Sequence, residues 1–400
     1  MIYFYYFFAI LLIYFSFKSF RGGFDYLNFF REELAKQRSN YTPFCSIIAP
    51  CKGLDEDLEK NLQALCFQDL PNYEVIFVVD SEADKALPII KKIHRRDAET
   101  QRISKIVVAN KTTESSQKVE NLREAVLHVS DKSEVFVFVD SDARPSKDWL
   151  RNLVASLENE NVGCASGYRW FIGKKFNFAT EMRSVWNASI ASALGRNTGS
   201  NFCWGGSMAI RRQTFDRLKI RDKWQGVLSD DFAVTRAMNE VNLPIFHVPN
   251  CLTASVENCT FDEMLEFTTR QMKITRVYGT KFWVMSFIGS GLFNLVMMTS
   301  LLLLIFGVEF WFPLITILLV SIFSIGKSWL RLEAVKLVLK DYRQELNRQF
   351  WTQNTLWVFA PALFFYNAVC ASLSRKIVWR GIKYELKSPT ETVIINQNAQ

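Results

Sequence analysis

Four hundred residues allow two or three domains, but 49% apolar residues with 34 Phe beside only 22% charged residues are unusual for a wholly water-soluble protein. The formal net charge is +8, yet the basic residues flank apolar segments and no recognition module is visible, which points to a membrane surface and away from nucleic acid. Eight cysteines without a CxxC pair, accompanied by three His, leave no zinc framework and read as reduced structural thiols.

In chain order, residues 1–17 (MIYFYYFFAILLIYFSF) carry no charge, with no basic residue before them and no small-residue cleavage site after, so they read as a retained transmembrane anchor. Lys18, Arg21, Arg31, Lys36 and Arg38 follow, and the positive-inside rule then puts residues 18–281 in the cytoplasm. Within that insert, strand-like runs (CSIIAP, YEVIFVVD, SKIVVAN, VFVFV) alternate with helical patterns over 55–68, 83–97 and 116–129. Such alternation predicts an α/β fold, a parallel sheet with helical crossovers, whose ligands sit outside the carboxyl ends of the strands. Asp80 and Asp140 stand at two such ends.

The stretch VFVFVDSDARP (135–145) runs five apolar β-formers into Asp140 and Asp142, and Pro145 stops the strand. Two carboxylates in D-x-D spacing can share a divalent cation that bridges them to a diphosphate, although an Asp-rich turn reads the same way in isolation. Neither a G-x-x-x-x-G-K-[ST] loop nor a G-x-G-x-x-G after the first strand is present, which disfavours P-loop and dinucleotide-binding enzymes.

A third acidic site, Ser229-Asp230-Asp231, opens a helical run, and RQMKITR (270–276) lies in an expected interfacial helix at about 260–280. Residues 282–400 then form a C-terminal membrane region, with spans at 284–307 and 309–326 and an amphipathic interfacial segment at 327–350. A full crossing at 351–373 would put Arg375, Lys376, Arg380, Lys383 and Lys387 outside. With Pro361 at its centre, this segment is expected to be a re-entrant or interfacial hairpin, which keeps the tail cytoplasmic.

Taken in order, PCKG (50–53), VVDSEAD (78–84), KVENL (118–122), VDSDARP (139–145), GGSMAIRR (205–212), SDD (229–231), the basic stretch Arg270–Arg276 and WRGIKYEL (379–386) resemble glycosyltransferase family 2, in its ceramide glucosyltransferase-like branch. The resemblance implies a GT-A type, Rossmann-like mixed sheet with helices on both faces, beside transmembrane and interfacial helices. It implies that Asp80 contacts uridine with Lys118 and Asn121 nearby, and that Asp140 and Asp142 hold Mn2+ or Mg2+ against the diphosphate. Asp231 would be the general base, with Asp230, Arg270 and Lys273 in the catalytic set, and Lys52, Gly205, Gly206, Trp379 and Arg380 with Asp140 in the substrate-binding set. The expected activity is inverting transfer of one hexose, glucose foremost, from a UDP-sugar to a lipid hydroxyl such as that of ceramide or diacylglycerol. Where the family pattern ends in an Arg-Trp pair, this sequence has Lys273-Ile274, so the aromatic that processive polysaccharide synthases place near the acceptor sugar is missing.

Overall fold

The apolar run at the N-terminus does not stop its helix where its charges begin. A computed structural model describes residues 2–37, 39–99 and 103–396, and in it α1 runs unbroken over Ile2–Ala35. The anchor expected at 1–17 is therefore the first half of a longer helix: Tyr26, Leu27, Phe29 and Phe30 carry a buried stripe past the first charges.

After α1 come β1 (Cys45–Pro50), α2 (Leu58–Cys66), β2 (Tyr73–Val79), α3 (Leu87–Glu99), β3 (Ile103–Val108), α4 (Gln117–Ala125), β4 (Val135–Phe138) and α5 (Trp149–Ala155). They continue with β5 (Cys164–Ile172), α6 (Phe178–Ala191), β6 (Met208–Arg211), α7 (Arg212–Arg217), α8 (Ile220–Lys223), α9 (Asp230–Glu240) and β7 (Ile245–Val256). The C-terminal part holds α10 (Phe261–Tyr278), α11 (Thr280–Ile305), α12 (Trp311–Val338), α13 (Arg343–Thr355), α14 (Ala360–Leu373), β8 (Lys376–Trp379), β9 (Ile382–Ser388) and β10 (Glu391–Asn396).

Seven strands form one sheet in the order β3-β2-β1-β4-β6-β5-β7. The β3-β2-β1-β4 half is parallel and β6 runs antiparallel to β4 and β5, so the expected α/β class with a mixed, mostly parallel sheet flanked by helices is the one observed. The parallel strands are largely apolar because both faces are covered: all of Cys45–Pro50 and Val135–Phe138 are buried. A second sheet, β10-β9-β8, is antiparallel.

The chain divides into two units. One comprises residues 33–170, 193–256 and 375–400 and contains the acidic motifs together with the C-terminal sheet. The expected layout counts the tail with the membrane region instead.

The other unit comprises residues 1–32, 171–192 and 257–374. It includes α6 and α10, where Met182, Val185 and Trp186 of α6 pack in one cluster with Met264 of α10 and with Ala360 and Leu363 of α14. Trp186 stacks on Phe364 with ring centroids 5.1 Å apart. A capping box between Thr260 and Glu263 starts α10 where the sequence predicts an interfacial helix. Helices α1, α11 and α12 are long and apolar enough to cross a membrane. The expected amphipathic segment 327–350 is divided, since its first part continues α12 to Val338, and the segment through 358 meets α14 at a bend of 59°, beside Pro361.

Candidate active site at the carboxyl edge of the sheet

Parallel strands bring their carboxyl ends to one edge, and three motif residues follow β1, β2 and β4 there: Lys52, Asp80 and Asp140. Asp80 is 5% exposed and accepts a hydrogen bond from the Lys52 ammonium. Beside these, Gln117 Nε2 donates to Asn121 Oδ1 at 2.9 Å, and the Gln117 amide donates to the Tyr384 hydroxyl of β9 at 3.2 Å. Burial pushes the Tyr384 phenol up to about 12, so it is a neutral hydrogen-bonding group.

Lys118 is the hub. Ser116 caps α4 by accepting from the Val119 amide, while its own hydroxyl donates to the Leu228 carbonyl at 2.7 Å, fastening the start of α4 to the loop before α9. That fastening carries Lys118 between two acids: its Nζ lies 2.7 Å from Asp140 Oδ1 and 3.0 Å from Asp230 Oδ1. Burial would lower the Lys118 ammonium, but Asp140, Asp230 and Asp231 together hold it raised. Asp140 is opposed by burial and nonetheless held below the usual carboxylate range by Lys118, then by Arg169 and Arg380. Asp230 behaves oppositely: burial, only partly offset by Lys118 and reinforced by Asp231 and Asp140, raises it to about 6.

Asp231 is the half-buried member of the Ser-Asp-Asp triplet, whereas Asp230 is 2% exposed. The Asp231 carboxylate is fixed by its own helix start: Oδ1 accepts from the Phe232 amide at 2.8 Å and from the Ser229 hydroxyl, and Oδ2 accepts from the Gly205 amide at 3.2 Å. Gly205 and Gly206 precede the strand β6. A Cβ on Gly205 would meet the Asp230 carboxylate and come within 2.7 Å of Lys118 Nζ, and one on Gly206 would collide with the Trp204 indole, so close approach is what these glycines provide.

Sequence reasoning missed several neighbours. Arg169 Nη1 lies 3.3 Å from Asp142 Oδ2, and its guanidinium is 4.9 Å from the centroid of the Trp204 ring. A charge inside the otherwise uncharged strand CASGYRWFI was the available signal. Asp55 accepts from the Ser141 hydroxyl at 2.5 Å and from the guanidinium of Arg380, linking the middle of D-S-D to the C-terminal sheet. Arg380 and Gly381 form the two-residue β8–β9 turn with φ of 50° and 76°. A non-glycine residue in that left-handed region is uncommon, and here it aims the guanidinium at Asp55. Trp379 is on β8 in register with Ile382.

Arg270 and Lys273 are on α10, in the other unit. Arg270 pairs with Glu266 at 3.4 Å one turn away, burial lowers the Lys273 ammonium, and Ile274 is a core residue at 7% exposure.

A mostly parallel sheet with acids gathered at its carboxyl edge suits an enzyme that handles a phosphorylated donor, and the known families narrow the class to glycosyltransferases. The model of glycosyl transferase family 21 matches residues 8–392, and the chain belongs to that family. Among solved structures it is similar to the mannosyltransferase PcManGT from Pyrobaculum calidifontis in complex with GDP-Man and Mn2+, at 16% identity over 92% of this chain and 98% of that one, with a TM-score of 0.44. It is also similar to S. aureus TarS in complex with UDP, at 13% identity over 89% of this chain and 100% of that one, with a TM-score of 0.37. A third is glucosyl-3-phosphoglycerate synthase from Mycobacterium tuberculosis in complex with phosphoglyceric acid, at 14% identity over 60% and 85%, with a TM-score of 0.36.

Proposed function

We propose that this glycosyltransferase moves a single hexose, glucose foremost, from a UDP-sugar to a membrane-lipid hydroxyl such as that of ceramide or diacylglycerol, at the cytoplasmic face and with inversion at the anomeric carbon. This is the activity of a ceramide glucosyltransferase-like enzyme. The observation that carries it is the meeting of Asp140, Asp230 and Asp231 around Lys118 and Gly205, at the same sheet edge as the buried Asp80 and with β1 between the strands that Asp80 and Asp140 follow.

In this reading Asp80, Asn121 and Lys52 hold the nucleoside end of the donor, and Asp231 serves the acceptor. As the lipid oxygen bonds to the anomeric carbon and the bond to UDP breaks, the hydroxyl proton passes to the Asp231 carboxylate. One displacement needs one base and no enzyme nucleophile, and it inverts the carbon. Gly205 and Phe232 amides keep that carboxylate oriented. Lys118, Arg169 and Arg380 surround the D-S-D loop with positive charge that suits a departing diphosphate.

Among the described residues no three His, Cys, Asp or Glu side chains converge as a metal cage. Asp140 and Asp142 would hold a hard cation of the Mg2+ or Mn2+ kind. When bound, it would neutralise charge on the leaving group.

The lipid acceptor is supported by α1, α11 and α12, each long and apolar enough to cross a membrane, and by Ile274 in place of an aromatic. Membranes containing the protein, incubated with a panel of UDP-sugars with and without EDTA, should yield a new glycolipid by mass spectrometry, from one sugar and only without EDTA. A set of lipids unchanged by every donor would overturn the reading.

A further inference from the structure

Lys327 and Arg331 are one turn apart on one face of α12, where its apolar run ends. Arg331 is 5% exposed. Its Nη2 donates to Ser328 Oγ at 3.2 Å and to Gln353 Oε1 of α13 at 3.1 Å, while its Nε is buried without an acceptor. Lys327 Nζ donates to Ser19 Oγ of α1 at 2.8 Å. Every one of these partners is neutral, and among the described residues neither cation makes an ion pair. The helices are held close here: a Cβ on Gly23 of α1 would stand 3.2 Å from Leu330 Cδ1 and 3.5 Å from Lys327 Cα.

Two like charges beside each other, one of them buried with an unused donor, are costly unless an anion compensates them. An ionisable residue in such a helix is by default a functional feature. A guanidinium with a free N–H beside an ammonium matches the oxygens of a phosphoryl group, and the end of an apolar run long enough to cross a membrane is the depth at which lipid phosphates lie.

We propose that Lys327 and Arg331, between α1, α12 and α13, bind the phosphoryl group of an anionic membrane lipid. This site is independent of the sugar-transfer reading. Ceramide and diacylglycerol carry no phosphate, so the anionic lipid would be a second lipid, distinct from the acceptor.

The full chain, purified in neutral detergent, is offered phosphatidylglycerol, phosphatidylcholine or inorganic phosphate. Native mass spectrometry and thermal melting are the readouts. One retained phosphatidylglycerol and a raised melting temperature are expected, with phosphatidylcholine giving neither. Lys327→Met should weaken retention at least tenfold and Lys327→Arg should keep it; because the Lys327 substitutions leave the buried Arg331 in place, they serve even if Arg331→Met fails to fold. Equal retention of both lipids, or full retention by Lys327→Met, would overturn the site. The same melting shift with inorganic phosphate alone would overturn its assignment to a lipid.

Discussion

Lys118 and Asp140 are joined at 2.7 Å, and the same ammonium reaches Asp230 at 3.0 Å, so one side chain ties the D-S-D loop to the first turn of α9. Removing it in Lys118→Met leaves carboxylates facing one another with their shared cation gone. The expected loss is about 3 kcal/mol of stability, typical of breaking a buried pair, together with loss of UDP binding. Chemical denaturation in detergent reads the first and a UDP titration the second; a variant as stable as the parent would show that the acids are neutralised by other groups.

Asp230 makes a signed prediction about pH. Its carboxyl rises from 3.8 to about 6 on folding, chiefly through burial, so the folded state holds this proton more tightly than the unfolded state. Stability from this group is present below about 4 and is lost as pH rises through about 6. The stability of the parent relative to Asp230→Asn should therefore increase on acidification across that window. A flat difference between pH 4 and 7 would refute the raised value.

Asp231→Asn separates base from binder. The amide keeps the size of the carboxylate and can still accept from the Gly205 or Phe232 amide, but it cannot take a proton. Donor affinity should stay near normal while turnover falls by about 10²-fold or more. Near-normal turnover would move the base elsewhere.

Asp55 holds Ser141 with one oxygen and Arg380 with the other. Asp55→Ala should raise the donor KM about tenfold, with a smaller change in kcat, because the D-S-D loop and the C-terminal turn lose their common anchor. Arg380→Ala should give a similar change, and the double variant should be little worse than either single one. Fully additive effects would show that the two residues act separately.

The parallel half of the sheet was legible because buried strands are largely apolar runs, and the four strands end within two residues of where the sequence placed them, between the helices it anticipated. The acids following β2 and β4 were legible for the same reason. Partners distant in sequence were not: nothing local in KVENL announces that Lys118 meets Asp230, because a serine cap and a loop carbonyl make that contact. Asp55 was one acid among several in LDED. The first helix runs on past the expected anchor because the charges after Phe17 interrupt an apolar run without interrupting helical spacing. The grouping of α6 with α10 and α14 rests on Trp186 stacking on Phe364, a contact no linear pattern carries.

Membranes containing the protein should be given UDP-[14C]glucose and then partitioned between chloroform and water. Label is expected in the chloroform phase, on a lipid that one glycosidase step returns to its unglycosylated form, and an Asp231→Asn preparation should leave that phase unlabelled. Label accumulating instead in a water-soluble polymer of high molecular weight would contradict single transfer to a lipid.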